Sequence, residues 1–491
     1  MIFSSLVFLF YFLPVVLALY TLAPRRGKNA VLFAASLLFY AWGEPVYVFL
    51  MLFSILANYL LGLSIHRALA GGTKTGLNAA EGAETTGHQG TSPAARRRLI
   101  LACALNLALL GFFKYAGFFI ANLNLALGLH IADPDLPLPL GISFYTFQAM
   151  SYIIDLYRGK VAVQKSFVAF GTYVALFPQL IAGPIVRFQT IAEELTLRSH
   201  SLAGFSQGAL RFTAGLGKKV LLANSAGAVF EQAMQSGGAG SGISVLSAWI
   251  GVLAFTMQIY FDFSGYSDMA IGLGRMFGFH FPENFNYPYI SQSITEFWRR
   301  WHITLSSWFR EYVYIPLGGN RRGTLLQLRN IAAVWALTGI WHGASWNFLV
   351  WGVYFGVLLI AEKLFLLQAL QRAPALLRHV YTMFFVIVSW AVFSADDLSG
   401  AAAFLASLSG LSGGPLSDGT GLYLLQNHAL FFLLLMIGST PLPRRLWIRV
   451  SGGLPQTAAG LVRSAGMAAV LLLSVAYLVS SSYNPFLYFR F

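Results

Sequence analysis

The stretch that decides the fold is Ile331–Ile360, IAAVWALTGIWHGASWNFLVWGVYFGVLLI, which contains no Asp, Glu, Lys or Arg. An apolar run of this length can cross the roughly 30 Å of hydrocarbon in a bilayer as a helix. One titratable ring, that of His342, lies within it. A histidine inside an apolar membrane segment is costly, which makes His342 a candidate functional residue. From the residues alone, a core histidine with satisfied hydrogen bonds is the alternative.

The rest of the chain has the same apolar character. Of its 491 residues, 57% are hydrophobic and only 10% are charged, against roughly 25% charged residues in a soluble domain. Apolar runs recur from end to end, so we predict an all-α polytopic membrane protein with one integral membrane domain over residues 1–491. The formal net charge of +14 fits Lys and Arg in cytoplasmic loops beside anionic lipid. The sequence contains no nucleic-acid-binding motif, so we expect no nucleic-acid partner.

The loops between the apolar runs predict a topology, because Lys and Arg are retained on the cytoplasmic side. Arg25, Arg26 and Lys28 place the end of the first run in the cytoplasm and the amino terminus outside. The start has no basic region and no cleavage site, so we expect a retained span rather than a signal peptide. The alternation continues through a flexible cytoplasmic loop at 67–98 and leaves the carboxyl terminus outside, after about ten spans. The apolar runs include 141–157, 376–394 and 423–438, and a pair at 220–235 and 243–263 that is joined by a glycine-rich turn.

Two segments depart from this simple alternation. The run 166–186 begins and ends beside bases and contains two prolines, Pro178 and Pro184, so we predict a broken, re-entrant segment. The run 331–360 also has bases on both sides. Thirty residues at about 1.5 Å each are too short for two full crossings, so we predict a helix pair that turns near Gly339–Gly343.

The segment 293–323, SITEFWRRWHITLSSWFREYVYIPLGGNRRG, precedes this run. Ser293 and Glu296 form a capping box that predicts a helix start. Bulky apolar residues then fall on one helical face: Trp298, Trp301, Leu305, Trp308, Phe309 and Tyr312. This pattern predicts an amphipathic helix at the cytoplasmic interface, and a membrane-surface anchor is the simplest role for its aromatic residues. On its own, His302 is typical of a hydrogen-bonded interfacial histidine.

The residues around His342 suggest a pocket for a small polar ligand. A neutral imidazole, with a pKa near about 6.5, is suited to remove a proton from a hydroxyl that attacks a carbonyl. The chain lacks HExxH, CxxC, Gly-x-Ser-x-Gly and Walker sequences, so metal, serine-triad and nucleotide-phosphate chemistry each lack their usual motif. Asp262 and Asp268 are open to two interpretations, a proton relay or structural pairing with Arg275 and the basic interfacial helix.

Several of these segments resemble a known family. EFWRRWHITLSSWFREYVYIPLGGNRRG followed by LTGIWHGASWNFLVWG is similar to the signature of the membrane-bound O-acyltransferase family, and most of all to its alginate O-acetylation branch. The resemblance covers nearly the whole chain, since PLGISFYTFQAMSYIIDLYRG, FPQLIAGPIVR, FDFSGYSDMAIGLGRMFGFHFPENFNYPY and NPFLYFRF match in order. The visible departure is Glu311, where the family pattern has aspartate, and it keeps the charge.

The resemblance implies a membrane-bound O-acyltransferase fold with about 10–12 transmembrane helices plus re-entrant and interfacial helices around a central tunnel. It also implies a catalytic region at about 284–350. The Trp-His-Gly and Arg-Arg-Trp-His motifs carry catalytic or acyl-channel roles onto His342 and His302. Candidates for donor binding near these motifs are Arg299, Arg300, Arg310, Trp341 and Asn347.

The implied activity is transfer of an acetyl group, with acetyl-CoA as the expected donor and no tightly bound cofactor or metal. The expected partners are membrane lipid, a periplasmic acetyltransferase or polymer-export proteins, and an exopolysaccharide acceptor. The expected location is the bacterial inner membrane, with both termini periplasmic. Two alternatives stay open: a D-alanyl transferase of teichoic-acid modification, and a transporter without acyl transfer. The lack of an internal repeat argues against the transporter.

Overall fold

The computed structural model describes residues 1–75, 92–236 and 242–480 together with Leu487. Within these residues the regular structure is helical, and no β-strand occurs. The α-helices are α1 Leu13–Leu22, α2 Lys28–Ala41, α3 Tyr47–Thr75, α4 Pro93–Leu127, α5 Ile142–Tyr157, α6 Phe167–Ala175, α7 Phe177–Leu180, α8 Phe188–Ile191, α9 Leu202–Gly217, α10 Asn224–Met234, α11 Val245–Met276, α12 Ile294–Arg300, α13 Ile303–Phe309, α14 Thr324–His342, α15 Trp346–Ala361, α16 Leu367–Arg372, α17 Ala375–Ser394, α18 Leu398–Ser409, α19 Gly419–Gly438, α20 Leu442–Gly452 and α21 Gln456–Ser480.

Short π-helical and 3₁₀ segments join several of these helices. The π-helical segments are Phe8–Phe12, Lys218–Ala223, Arg310–Tyr314 and Glu362–Leu366, and the 3₁₀ segments are Arg25–Gly27 and Pro288–Ile290. Because a π-helical segment keeps the chain helical, α15 and α16 form one continuous helix from Trp346 to Arg372.

Seven helices in the described ranges are long and apolar enough to cross a bilayer. They are Tyr47–Gly71, Pro93–Leu127, Val245–Met276, Trp346–Arg372, Ala375–Ser394, Gly419–Gly438 and Gln456–Ser480. Phe8–Leu22 and Leu398–Ser409 are shorter apolar helices. The predicted class, an all-α polytopic membrane protein, is confirmed.

The chain forms two compact units. The first comprises residues 1–205 with 274–281, and the second comprises residues 206–273 with 282–491. In the first unit the predicted break in 166–186 is observed: α6 ends at Ala175, and the short α7 is followed by non-helical chain as far as Arg187. Pro178 explains the break, because a proline is tolerated only in the first turn of a new helix. Residues 169–186 are all buried, as irregular backbone in a membrane protein must be.

In the second unit, α14 and α15 form the helix pair that the apolar run predicts. The turn lies at Gly343–Ser345, slightly later than expected. The two helices cross closely at Gly339 and Gly352, where the backbone of each helix fills the space a Cβ atom of the other would need. The helix that begins at Trp346 extends over 27 residues, beyond the end of the apolar run. It is therefore long enough to cross a bilayer by itself, and the prediction that both helices of the pair are too short for a full crossing is wrong for this helix.

The segment after Ser293 begins as predicted and then differs. The Ser293 Oγ accepts a hydrogen bond from the Glu296 N–H at 3.0 Å. The single amphipathic helix is wrong, because the chain breaks at Trp301–His302 and restarts as α13. The membrane-anchor interpretation of its aromatic face is also wrong. Trp298 packs against Trp335 and Trp351, at 4.5 and 5.7 Å between ring centroids, and all members of that face are buried inside the protein.

Parts of three predicted features lie outside the described residues. Of the predicted loop at 67–98, only the ends are described, and there α3 continues to Thr75 and α4 begins at Pro93. Residues 237–241 of the predicted glycine-rich turn fall outside. So do residues 481–486 and 488–491, which hold most of NPFLYFRF.

Candidate active site

His302 is placed by the break between α12 and α13. Its backbone adopts φ 43° and ψ 53°, the left-handed region that is uncommon for residues other than glycine. This conformation puts the imidazole in the interior of the second unit, where it is 1% exposed and perpendicular to the Phe263 ring at 4.7 Å. Burial lowers the pKa of His302 to about 3, so the ring is neutral at physiological pH.

Asn284 fixes the orientation of the His302 ring. Its Oδ1 lies 3.1 Å from His302 Nδ1, and it also accepts hydrogen bonds from the Thr304 hydroxyl at 2.8 Å and the Thr304 N–H at 3.3 Å. The Thr304 N–H can only donate, so the amide atom facing it is the oxygen. His302 Nδ1 therefore carries the proton and donates it to Asn284. This leaves Nε2 as the acceptor, and Nε2 is buried with no hydrogen-bond partner among the described residues.

His342 ends α14 and lies in a cage of aromatic rings. Its ring centroid is 5.0 Å from that of Trp341, 5.0 Å from that of Trp351 and 5.3 Å from that of Phe393. The imidazole lines a narrow cavity of about 10 Å³, roughly the space of one water. The other residues around this cavity are Ile259, Asp262, Phe263, Trp301, Trp351, Trp390, Phe393 and Leu487.

The structure brings the two predicted histidines together. The Trp341 ring lies 5.0 Å from His342 and 6.2 Å from His302, measured between centroids. Phe263 packs on His302 and also lines the cavity beside His342. The two imidazoles therefore share two aromatic neighbours, which belong to α11 and α14.

A larger polar cavity lies beside Asn284, the residue that orients the His302 ring. It has a volume of about 590 Å³, and its lining includes Asn284 and Ile303, which flank His302 in space and in sequence. Its charged residues are mostly paired: Arg211 contacts Asp268 at 2.9 Å and Glu283 at 2.5 Å, and Lys218 contacts Asp268 at 2.7 Å. A polar molecule bound in this cavity would contact Asn284, whose side chain orients the His302 ring.

Asp262 forms a buried ion pair with Lys219 at 2.7 Å. Its second oxygen accepts the backbone N–H of Leu487 at 3.0 Å, which brings Leu487 to the wall of the His342 cavity. The partners suggested for Asp262 and Asp268 from the sequence, Arg275 and the basic interfacial helix, are wrong. The structural role is favoured, because both carboxylates are engaged by bases in the same unit.

The other predicted site residues are distributed differently. Arg299 and Arg310 are exposed, and Arg300 is bound to Glu296 Oε1 and the Asn286 carbonyl. None of these three lines either cavity. The Asn347 amide donates to the Ala395 carbonyl at 2.7 Å and holds the start of α15 beside the end of α17.

Glu362 is a positioning residue that sequence reasoning missed. Its carboxylate is 1% exposed and accepts the N–H of Ile294 at 2.7 Å, the N–H of Thr295 at 2.8 Å and the Thr295 hydroxyl at 2.6 Å. A carboxylate is favourable at the N-terminus of a helix. Glu362 thus links α12, which leads to His302, to the helix hairpin that contains His342. The available signal was an acid directly after a long apolar run.

This fold and site define a class of protein: a polytopic membrane enzyme with two buried histidines that share aromatic neighbours, one of which, His342, lines a small cavity. A model of the membrane-bound O-acyltransferase family matches residues 160–403. The chain belongs to this family and is an O-acyltransferase.

Three similar proteins have names that also describe acyl transfer. A probable alginate O-acetylase AlgI of Azotobacter vinelandii is 40% identical over 524 aligned residues, covering 100% of both chains. A peptidoglycan O-acetyltransferase of Helicobacter pylori is 35% identical, covering 84% of this chain and 80% of its own. A teichoic acid D-alanyltransferase of Streptococcus thermophilus is 30% identical but covers only 46% of this chain and 57% of its own.

Proposed function

We propose that this protein moves an acetyl group from a cytoplasmic donor, acetyl-CoA, for the O-acetylation of an exported polysaccharide such as alginate. The full-length similarity to probable alginate O-acetylases supports the reaction and the acceptor class. The observation that carries the proposal is the pair of buried histidines around Trp341, of which His342 lines a small cavity. The loop charges support a multi-pass protein of the bacterial inner membrane with both termini in the periplasm.

In this proposal His342 is the general base. It removes the proton of the acceptor hydroxyl as the hydroxyl oxygen bonds to the carbonyl carbon of the thioester. The carbon–sulfur bond breaks, and the leaving thiolate takes the proton from His342. The acceptor hydroxyl belongs either to the polysaccharide or to a periplasmic acetyltransferase that carries the acetyl group onward.

His302 positions the donor. With its Nδ1 proton committed to Asn284, the ring can offer only its buried Nε2 acceptor, which suits an amide N–H of the pantetheine arm. The polar cavity beside Asn284 is our candidate entrance for that arm. Arg299, Arg300 and Arg310 remain candidates for the charged end of the donor, and Trp341 forms the wall between the two histidines.

The test measures transfer of labelled acetyl groups from acetyl-CoA by purified protein in liposomes, with and without candidate periplasmic partners. His342→Ala should lower the rate by about 10²- to 10⁴-fold, the usual contribution of a general base. His428→Ala is the matched control, because His428 is a half-buried histidine of the same unit that lines neither cavity. A folded, inserted His342→Ala protein that transfers acetyl groups at the normal rate would refute the proposal.

The same preparation separates the alternatives. A D-alanyl transferase would take D-alanine from a carrier-protein thioester and would leave acetyl-CoA unused. A transporter would move its substrate without breaking a thioester, and free CoA would not accumulate. Release of free CoA that depends on both His342 and an acceptor is expected only for acetyl transfer.

A further inference from the structure

A basic cavity in the first unit has no role in acyl transfer as described above. It has a volume of about 800 Å³, and its lining includes the bases Arg25, Arg26, Lys28, Arg198 and His200. Neither Asp nor Glu is among its lining residues, all of which are described. Every residue of this cavity belongs to the first unit, whereas both histidines of the candidate active site belong to the second.

The bases are held in place by one tyrosine. The Tyr20 hydroxyl donates to the Phe277 carbonyl at 2.8 Å, accepts from Arg198 Nε at 3.1 Å and lies 2.8 Å from His200 Nε2. Lys28 Nζ donates to the Tyr20 carbonyl at 3.0 Å and lies 4.2 Å from the centre of its ring. Three basic side chains are thus ordered around a single residue, which distinguishes the cavity from a solvated cluster of loop charges.

No Asp or Glu among the residues that line the cavity neutralises its positive charge. The pKa values of Lys28 and His200 are lowered, first by burial and then by neighbouring bases, among them Arg198 and Arg25. The nearby carboxylate of Glu194 is engaged elsewhere, since it lies 2.6 Å from His280 Nδ1 and accepts the His280 N–H at 3.0 Å. A bound anion would relieve the repulsion between these bases.

We propose that this cavity binds a phosphate ester. Several Arg and Lys side chains facing one space favour an anion with more than one charged oxygen, and Arg pairs with phosphate through two parallel hydrogen bonds. Lys28 is the first residue of the 14-residue α2, so the positive end of the helix dipole lies beside the bases and favours the same ligand. The volume suits a lipid head group or a nucleotide.

Two sources can supply the phosphate, and the experiment separates them. Native mass spectrometry of protein purified in a neutral detergent measures the binding of phosphatidylglycerol against phosphatidylcholine with the same acyl chains. Equilibrium dialysis with labelled ADP measures binding of a soluble phosphate ester. The test variant is Arg25→Gln with Arg26→Gln, since no hydrogen bond or ion pair joins either side chain to another described residue. Its matched control is Arg96→Gln with Arg97→Gln, an exposed pair on α4 with the same change of charge.

We expect one of the two ligands to bind the wild-type protein, and the Arg25/Arg26 variant to bind it at least about tenfold more weakly, the effect of losing one strong charged contact. The control should stay within about twofold of wild type. Preference for phosphatidylglycerol identifies a lipid head group, and binding of ADP identifies a soluble ester. Equal binding of both lipids together with no ADP binding, or equal losses in test and control variants, would overturn the proposal. If the double variant fails to fold, Arg26→Gln alone should show a smaller loss in the same direction.

Discussion

Gly339→Ala should reduce acyl transfer without touching a reacting group. A Cβ atom on Gly339 would lie 2.4 Å from the Phe348 carbonyl oxygen and 3.1 Å from the Gly352 Cα. Both are backbone atoms of α15, so no side chain can rotate away. Because ordinary contact begins at 3.4 Å, the helices must separate by about 1 Å at this point. His342 is three residues further along the same helix, and a displacement of about 1 Å can cost about 10²-fold in rate.

The assay is the acetyl-transfer rate in liposomes together with the melting temperature in detergent. Overpacking should also lower the free energy of unfolding by about 1–3 kcal/mol. Gly111→Ala is the matched control, because a Cβ on Gly111 of α4 meets nothing within 4 Å, and the better helix propensity of Ala should leave stability equal or slightly higher. Wild-type kcat in a folded Gly339→Ala protein would show that the hairpin crossing does not set the position of His342.

Two further predictions test the neighbours of the histidines. Asn284→Leu removes the acceptor of the His302 Nδ1 proton. The buried donor that is left unpaired costs about 1–3 kcal/mol of free energy. The rate at low donor concentration should fall about tenfold or more, and Asn284→Asp, which keeps an acceptor oxygen, should recover part of it; equal losses in both variants would contradict a hydrogen-bonding role. Leu487→Ala removes part of the wall of the cavity of about 10 Å³. The transfer rate with propionyl-CoA should therefore rise relative to the rate with acetyl-CoA. An unchanged ratio of the two rates would show that Leu487 does not limit acyl length.

The helices could be predicted from the sequence where hydropathy alone defines them. The run 141–157 matches α5, Ile142–Tyr157, and the run 376–394 matches α17, Ala375–Ser394. The ends were less accurate where a cap decides them. The apolar run near 423 begins four residues after α19 does, because Asp418 accepts the Gly421 N–H and starts the helix among polar residues.

The break at His302 could not be predicted from local sequence. Trp301-His302-Ile303 gives only a weak signal for a left-handed backbone, since glycine and asparagine are absent and histidine adopts this conformation in a small fraction of cases. The conformation is stabilised by a residue outside the segment, because Asn284 accepts hydrogen bonds from both His302 and Thr304. A strained backbone conformation persists only when its surroundings hold it. The same tertiary contact explains why a helix predicted as one is found as two.

The motifs identified the histidines, but the residues that orient them are distant in sequence. Asn284 is 18 positions from His302, and Glu362 is 68 positions from Ile294. Asp262 is 225 positions from Leu487. Hydropathy and local spacing carry no information about such pairs, because each is created by the packing of segments that are distant in the chain. The predicted aromatic face at 298–312 was correct as a pattern and wrong as to what it contacts.

The environments of the two histidines favour different roles for them. A group with a pKa near 3, as burial gives His302, is a weak proton acceptor at neutral pH and cannot donate a proton as an imidazolium, so it is poorly matched to general acid–base work. Its Nδ1 proton is also committed to Asn284. What His302 retains is a fixed, buried acceptor, which suits recognition of a donor N–H. In the proposed mechanism the proton of the acceptor hydroxyl is therefore assigned to His342, and the close crossing of α14 and α15 at Gly339 is the feature expected to set where this proton is taken.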